Sequence, residues 1–496
     1  MSKSLPAKPN LEQYRKQAKD LLKAWRRGDA DARQRIAAHH PRLSRVSSAR
    51  LDEAAVALAD VQLALAREHG FDHWAAFVDE IDRRTGATER NRKIWRDAER
   101  AVLDGDASTL ETLLRDHRQL FETRQPPAFG PEPGRLAPYY HGPSARHVIA
   151  ANHHFESWDA FVEWQRHAND PASPIARFEA AADAIGDGDL TTLRRLLRDD
   201  PSVIRARSAR THHSTLLHYV GANGIEAFRQ KTPKNALEIL KVLLDAGAEV
   251  DAPAGMYGGG STTLGLVATS IHPMLAGVQE DLMGELLARG AALEDPKAGG
   301  NNQSAIAGCL ANGRPQAARY LAERGARLDL DGAAGVGMLD AVERFFNAQG
   351  RLVDGATAEQ LNRGFGWACQ YGHTDVVEYL LRRGVDLAGS RKGASPLHWA
   401  GYGGNQAIVT ALLRAGAPVD ARDGTFDGTP LGWALYGWAE QREHKGAERY
   451  YDTVAELVKA GGTVAPEWLR EDERGYPIDE YLLDDERMSK AMRSNQ

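Results

Sequence analysis

A short motif recurs along the C-terminal two-thirds of this sequence and constrains its fold more than any other feature. Each copy is an apolar run that ends in a glycine, and a small residue and an acid usually follow. The copies are LLDAGAEVDA, LLARGAALED, YLAERGARLD, LLRRGVDLAG, LLRAGAPVDA and LVKAGGTVAP, with RFFNAQGRLVDG as a degenerate one. Their first glycines are Gly247, Gly290, Gly325, Gly384, Gly416, Gly461 and, in the degenerate copy, Gly350. This recurrence predicts a stack of similar units, in which a helix ends at each glycine in a left-handed C-cap.

A second motif precedes several of these glycines and points to a known repeat. The segments SPLHWAGYGGN (395–405) and GFGWACQYGHTDVVEYLLRRG (364–384) resemble the ankyrin consensus TPLHxAAxxGHxxVVxxLLxxG, and STLLHYVGANG and GTPLGWALYG resemble its first half. The commonest spacing between copies is close to the ~33 residues of an ankyrin unit. The resemblance implies an all-α solenoid of helix–turn–helix repeats with short β-hairpin fingers. Its concave face would be formed by the fingers and the first helix of each repeat.

The sequence before the repeats contains its own duplication. One motif recurs as GDADARQRIAAHHP, GDASTLETLLRDHR and GDLTTLRRLLRDDP, and another as AREHGFDHWAAFVDEI and AANHHFESWDAFVEWQ. Each copy of the first motif begins with a residue that favours a helix N-terminus. We therefore predict two diverged helical copies over 1–170, a solenoid of about eight repeats over 171–465, and a charged C-terminal cap or tail over 466–496.

Charge and cysteine content indicate a cytoplasmic protein. The net charge is -6 without a prominent Lys/Arg cluster, so we expect no nucleic-acid partner. Lys16, Lys19 and Lys23 interrupt every apolar stretch near the N-terminus, which argues against a signal peptide and against membrane association. The two cysteines, Cys309 and Cys369, fit a reducing compartment.

The histidines and the glycine-rich segment are expected to be structural, with no metal and no cofactor. His218 and His398 match the histidine of the LH motif, which the resemblance implies forms hydrogen bonds within and between repeats. Adjacent histidines such as His153 and His154 point apart on a helix and lack a second ligand motif, so zinc is not expected. MYGGGSTTLG has no Gly-Lys-Ser/Thr and is interpreted as a finger tip that carries Tyr257.

Three insertions interrupt the connection between the two helices of a repeat. They are GIEAFRQKTPK in the second repeat, IHPMLAG in the third and WAEQREHKGAE in the last. A purely structural interpretation is sufficient, because loop closure entropy grows only slowly with length. The functional interpretation is that these loops wall the groove into a pocket. The first two loops carry Glu226, Arg229 and His272, whose side chains can bind anions or transfer protons.

Aromatic residues recur at one position of the first helix. Tyr219, Trp367, Trp399 and Trp433 follow the motif histidine or its equivalent, and Tyr371, Tyr402 and Tyr436 lie one turn later in the last three repeats. Residues three or four apart share a helix face, so each Trp should pair with its Tyr, and consecutive pairs should form a column. Core packing is the alternative, but Leu397, Ala400 and Leu412 already fill the core positions of the consensus.

Two functions stay open at this point. One is a non-catalytic module that recognises a protein partner on the concave face, as the resemblance implies. The other is an enzyme or small-ligand receptor with a pocket over the second and third repeats. There Glu226 and His272 would perform acid–base chemistry, and Asn223 and Arg229 would orient a small polar ligand. The aromatic column would then be a stacking platform, for which a carbohydrate or glycoside is the first substrate class to test.

Overall fold

The structure, a computed structural model, describes most of the 496 residues. The described residues are 3–117 apart from 4, 7–8, 46–55, 72 and 86, then 145–294, 304–442 apart from 389–390 and 392, 446–464, and 482–494 apart from 483–484. They are mostly helical and contain no β-strand. They divide into two compact units, one mainly from residues up to 117 and the other mainly from residues 145–463. The predicted boundaries at 170 and 465 remain predictions.

The N-terminal unit is a set of amphipathic helices around a small apolar core. Its helices are Leu11–Arg26, Ala30–His39, Leu58–Glu68, Trp74–Thr85, Ala87–Leu103 and most of Ala107–Asp116. The carboxylate of Asp29 accepts a hydrogen bond from the Ala32 amide, so the first GD motif does cap a helix. Ile36 from Ala30–His39 and Val61 and Leu65 from Leu58–Glu68 are almost fully buried together.

In the part of the second unit that the structure describes, two helices are followed by eight helix pairs. The two helices are Ala145–Asn152 and Trp158–Ala168. The pairs are Pro174–Asp187 with Leu190–Asp199, Leu216–Gly221 with Ala236–Asp245, Thr263–Thr269 with Gln279–Ala288, Ala305–Ala311 with Pro315–Ala322, Leu330–Gly335 with Leu339–Glu343, Ala358–Tyr371 with Thr374–Arg382, Pro396–Tyr402 with Gln406–Arg414, and Pro430–Gln441 with Arg449–Lys459. Leu216–Gly221 is a short 3-10 helix, and a five-residue helix, Ile271–Leu275, lies in the third repeat's insertion.

Six of the seven repeated glycines follow the second helix of a pair, as predicted, whereas Gly350 lies in a finger between the bridged residues Phe346 and Leu352. Gly247 and Gly416 both have φ of 92°, a left-handed backbone that glycine adopts without strain. Among the described residues, the predicted hairpin fingers are present as isolated antiparallel bridges, at Ala254–Ser261, Phe346–Leu352 and Arg391–Ala394.

Two buried histidines, His218 and His398, each tie one repeat to the next. The His218 Nδ1 accepts a hydrogen bond from the Thr215 amide at 3.0 Å, and its Nε2 donates to the Ala252 carbonyl in the following finger at 2.9 Å. His398 makes the same pair of bonds, from the Ser395 amide and to the Gly428 carbonyl. Both histidines therefore have the structural role that the resemblance implied.

The stacked helices share a continuous apolar core. One cluster of buried side chains runs from Phe178 to Trp367, as expected when neighbouring pairs bury each other's apolar faces. Cys309 belongs to this cluster, and Cys369 is also buried; burial raises the pKa of the Cys309 thiol to about 12. Neither thiol suits nucleophilic chemistry.

Candidate functional site

The insertion of the second repeat folds back onto the first repeat. Its short 3-10 helix, Ala227–Arg229, places the Arg229 guanidinium against the helix Pro174–Asp187. Nη1 of Arg229 donates to Glu179 Oε2 at 2.6 Å, and Nε donates to Asp183 Oδ1 at 2.7 Å. Lys231 pairs with Asp187 one turn further along the same helix. The insertion therefore packs as part of the solenoid wall.

Glu226 lies at the centre of a buried ionic cluster. Its side chain is 0% exposed. The Oε1 atom of Glu226 lies 2.6 Å from Arg210 Nε, 3.6 Å from Arg229 Nη1 and 3.5 Å from His212 Nε2. The Tyr219 hydroxyl also donates to this oxygen at 3.2 Å. Burial by itself would raise the pKa of Glu226, but His212, Arg210 and Arg229 together hold it well below its usual range.

This environment does not fit the predicted acid–base role of Glu226. A carboxylate that stays ionised, paired with two guanidinium groups and closed to solvent cannot exchange protons with a substrate near neutral pH. Arg229 and Tyr219, predicted to bind ligand, are also buried, and burial raises the pKa of the Tyr219 hydroxyl. Tyr219, Glu226 and Arg229 lie together in the structure, and their burial and mutual contacts favour a structural role.

Arg210 is the member of this cluster that the sequence did not reveal. It is fully buried, its Nη1 donates to Glu179 Oε1, and its guanidinium lies 4.5 Å from the ring centre of Trp164. The only sequence signal for Arg210 is a basic residue in the finger just before the STLLHY motif. Through Arg210 the helix Trp158–Ala168 is joined to the first two repeats.

His272 and Asn223 were both predicted to line the pocket. His272 is partly buried in the short helix Ile271–Leu275. Asn223 Oδ1 accepts a 2.6 Å hydrogen bond from the hydroxyl of Tyr257, which is 73% exposed on its finger. Asn223 Nδ2 donates to Thr269 Oγ1 at 3.0 Å. The predicted pairing of Glu226 with His272 stays a prediction.

A cleft of about 180 Å³ lies beside the second repeat's insertion, and Ile185, Tyr219, Lys231 and Pro233 are among its lining residues. Within the described part of the chain, no three His, Cys, Asp or Glu side chains gather where they could hold a metal ion. No described helix combines the length and apolar character needed to cross a bilayer.

The aromatic residues of the last two repeats do form a contiguous surface. The ring centres of Trp399 and Trp433 lie 4.9 Å apart in an edge-to-face arrangement, and Tyr402 and Tyr436 stack at 6.3 Å. Tyr402 also contacts Trp433 at 6.1 Å. We call Trp399, Tyr402, Trp433 and Tyr436 the aromatic face.

The side chain of Arg391 links Trp367 to the aromatic face. The guanidinium of Arg391, in the finger between the two repeats, lies 3.3 Å from the ring centre of Trp399 and 5.7 Å from that of Trp367. Trp367 is 1% exposed. The hydroxyl of its partner Tyr371 donates to the Leu310 carbonyl two repeats earlier, at 2.6 Å. Trp367 and Tyr371 therefore pack inside the stack, and the predicted three-repeat column is exposed only over its last two repeats.

Acidic groups hold the aromatic face in place. The Tyr402 hydroxyl donates to Glu440 Oε2 at 2.8 Å, and Trp433 Nε1 donates to Asp423 Oδ2 at 3.0 Å. Asp423 also accepts the backbone amides of Thr425, Phe426 and Gly428, each at 2.8 Å. The carboxylate of Asp423 therefore fixes both the Trp433 ring, on the first helix of the last repeat, and the finger that carries Phe426.

Exposed apolar side chains of the second unit concentrate on fingers, on insertions and on the first helix of the last repeat. The most exposed large ones among the described residues 145–463 are Phe228, Tyr257, Ile271, Leu275, Phe426 and Tyr436. Phe426 is 78% exposed on a finger, and Tyr436 is 50% exposed on the aromatic face. Within the described ranges, none of these side chains lies on the second helix of a repeat.

Comparison with known proteins identifies the repeat. Residues 330–423 match a family model described as ankyrin repeats in three copies. A stretch of 59 residues, 12% of this chain, is 39% identical to the palmitoyltransferase Hip14 of Drosophila melanogaster, and the match covers 9% of that protein. The chain thus spans less than a tenth of this relative's length. The crystal structure of the human ASB11 ankyrin repeat domain aligns with 57% of this chain and 99% of its own, with 17% identity and a TM-score of 0.30.

Proposed function

This chain is an ankyrin-repeat protein, and we propose that it binds a protein partner on the concave face of its repeats. The supporting observation is the position of its exposed apolar side chains, which lie on fingers, insertions and an inner helix. Monomeric proteins rarely leave large apolar groups grouped in solvent unless a partner covers them. Tyr and Trp are also the side chains that most often dominate binding energy at interfaces.

The contact residues that we propose are on the C-terminal repeats and the third repeat's finger. Trp433, Tyr402, Tyr436 and Phe426 form the main contact, and Tyr257 with its partner Asn223 forms a second one. Trp399 is only 8% exposed, so in this proposal it packs beneath the residues of the main contact. We assign no catalytic residue, since Glu226 is enclosed by the ionic cluster.

We place this interaction in the cytoplasm. Cys309 and Cys369 are buried and unpaired, which supports a reducing compartment.

Site-specific photo-crosslinking in the producing cell tests this proposal. A photo-reactive phenylalanine analogue replaces Phe426 or Tyr436 in the full chain, and Glu378 on a second helix is the control position. The Glu378 side chain is 56% exposed, so all three probes can reach solvent. We expect discrete protein adducts from positions 426 and 436 and none from position 378. Equal labelling at all three positions, or no adduct at 426 and 436, contradicts the proposal.

A further inference from the structure

Arg391 is a buried arginine without an acidic partner. It is 8% exposed, lies over the ring of Trp399, and donates from Nη2 to the Gln370 side-chain oxygen. No Asp or Glu of the described residues forms an ion pair with it or contributes to its charge environment. Arg363, the other guanidinium near the Trp367 ring, is already paired with Asp331 at 2.5 Å.

Two hydrogen-bond donors at this place have no acceptor. Arg391 Nε and Trp367 Nε1 are both buried and without a hydrogen-bond partner among the described residues. Burial lowers the pKa of Arg391 to about 9, so the guanidinium still carries its charge at neutral pH. A buried charge without a counter-charge is destabilising, and stacking on Trp399 compensates it only in part. The surroundings of Arg391 therefore lack one anionic acceptor.

A glycine at position 366 leaves room for the side chain of Arg391. Gly366 lies beneath Arg391, and a Cβ atom at Gly366 would stand 3.0 Å from Arg391 Nε and 3.2 Å from its Cδ. A Cβ atom at position 366 would therefore crowd Arg391, and the arginine would have to shift by a few tenths of an ångström.

We infer that Arg391 binds a carboxylate from the partner protein, supplied by an Asp or Glu side chain in an extended peptide segment that crosses the aromatic face. This inference rests on the proposed function and names the chemistry of the partner. A carboxylate accepts hydrogen bonds only, carries a single charge and matches the planar guanidinium. One unpaired guanidinium suits one carboxylate, whereas phosphate groups are commonly held by several arginines.

The same face also sets the direction of the segment. Glu440 lies at the far side of the aromatic face, where it accepts from the Tyr402 hydroxyl. A second acid at that end would be repelled, so the acidic residue belongs near Arg391 and a neutral or basic residue near Glu440.

A library of random 12-residue peptides displayed on phage and selected on the full chain tests this inference. We expect enriched peptides to carry Asp or Glu at one fixed position. In fluorescence titrations of one such peptide, its Glu→Gln change and Arg391→Gln in the protein should each weaken binding about 10- to 100-fold. Because both changes remove one contact, the double change should weaken binding little further. Arg382→Gln, on an exposed second helix, should leave affinity unchanged.

Further variants separate the possible failures. Circular dichroism checks that Arg391→Gln is folded. If it is not, Gly366→Ala is the substitute variant: it keeps the charge of Arg391 but shifts its guanidinium, and it should also weaken binding. Peptides whose affinity falls with Tyr436→Ala but not with Arg391→Gln or Gly366→Ala overturn the inference and leave the proposed function intact. Failure to enrich any peptide, or peptides indifferent to both Tyr436 and Arg391, overturns both.

Discussion

The Nε atom of Arg210 lies 2.6 Å from a carboxylate oxygen of Glu226, and neither side chain is exposed to solvent. The two residues come from a finger and from an insertion, so this contact fixes the insertion against the stack. Removing one member of a buried pair leaves the other charge without compensation, which costs far more than losing a surface pair.

We therefore expect Glu226→Gln to lower the free energy of unfolding by about 3 kcal/mol. The measurement is urea unfolding followed by circular dichroism. Lys231→Gln is the matched control in the same insertion, because Lys231 and Asp187 are each more than half exposed and their pair is worth about 1 kcal/mol at most. Equal losses for the two variants would show that the cluster does not stabilise the fold.

This cluster also shows where inference from the sequence ended. The repeat architecture was predictable because its signals are local: a glycine that ends a helix, or a histidine that bonds to a residue three positions earlier. The path of the insertion depends instead on Glu179 and Arg210, which lie 50 and 19 residues before Arg229 in the sequence. Nothing within the insertion indicates that its charges find buried partners.

The aromatic residues show the same limit. Helical spacing predicted that Trp399 and Tyr402 share a face, and their rings do meet, at 6.2 Å. Helical spacing could not predict which of the aromatic rings are exposed, because this depends on residues from other elements. Trp367, for example, is covered partly by Arg391 from the next finger. A basic residue in a finger between two such tryptophans is the signal that could have identified Arg391.

Acidification should destabilise the repeats through their buried histidines. Burial, as the largest cause, lowers the pKa of His218 from 6.5 to about 4. Between these pH values the unfolded chain binds more protons than the folded one, so this contribution to stability is complete above pH 6.5 and declines towards pH 4. We expect His218→Gln to reduce the loss of unfolding free energy between pH 7 and pH 5 by about 2 kcal/mol.

Urea unfolding at several pH values measures this effect. His213→Asn is the control, since His213 is exposed in the finger that precedes the helix of His218, and asparagine tolerates its φ of 47°. The explanation fails if His218→Gln keeps the pH dependence of the parent chain.

Asp423 should control the order of the finger that presents Phe426. Its carboxylate accepts three backbone amides and the Trp433 indole, and hydrogen bonds to a charged group are each worth about 1.5–3 kcal/mol. We expect Asp423→Ala to accelerate hydrogen–deuterium exchange in residues 424–428 at least about 10-fold. Mass spectrometry of the corresponding peptides reads this out, and Asp427→Asn, at an 85% exposed side chain, should change nothing. Unchanged exchange in Asp423→Ala would mean that the finger is held by other contacts.

Two glycines within first helices should respond oppositely to the same substitution. An added Cβ at Gly401 would stand 2.7 Å from the Pro430 carbonyl oxygen of the neighbouring first helix, whereas one at Gly308 meets only Thr269 Cγ2, at 3.8 Å. Alanine favours a helix over glycine by about 1 kcal/mol, but forcing two packed helices apart costs about 1–3 kcal/mol. Gly308→Ala should therefore raise the free energy of unfolding by up to about 1 kcal/mol, while Gly401→Ala lowers it. Urea unfolding of both variants measures the difference. Stabilisation by Gly401→Ala would show that the last two repeats do not need this close approach, and the spacing of the aromatic face would then need another cause.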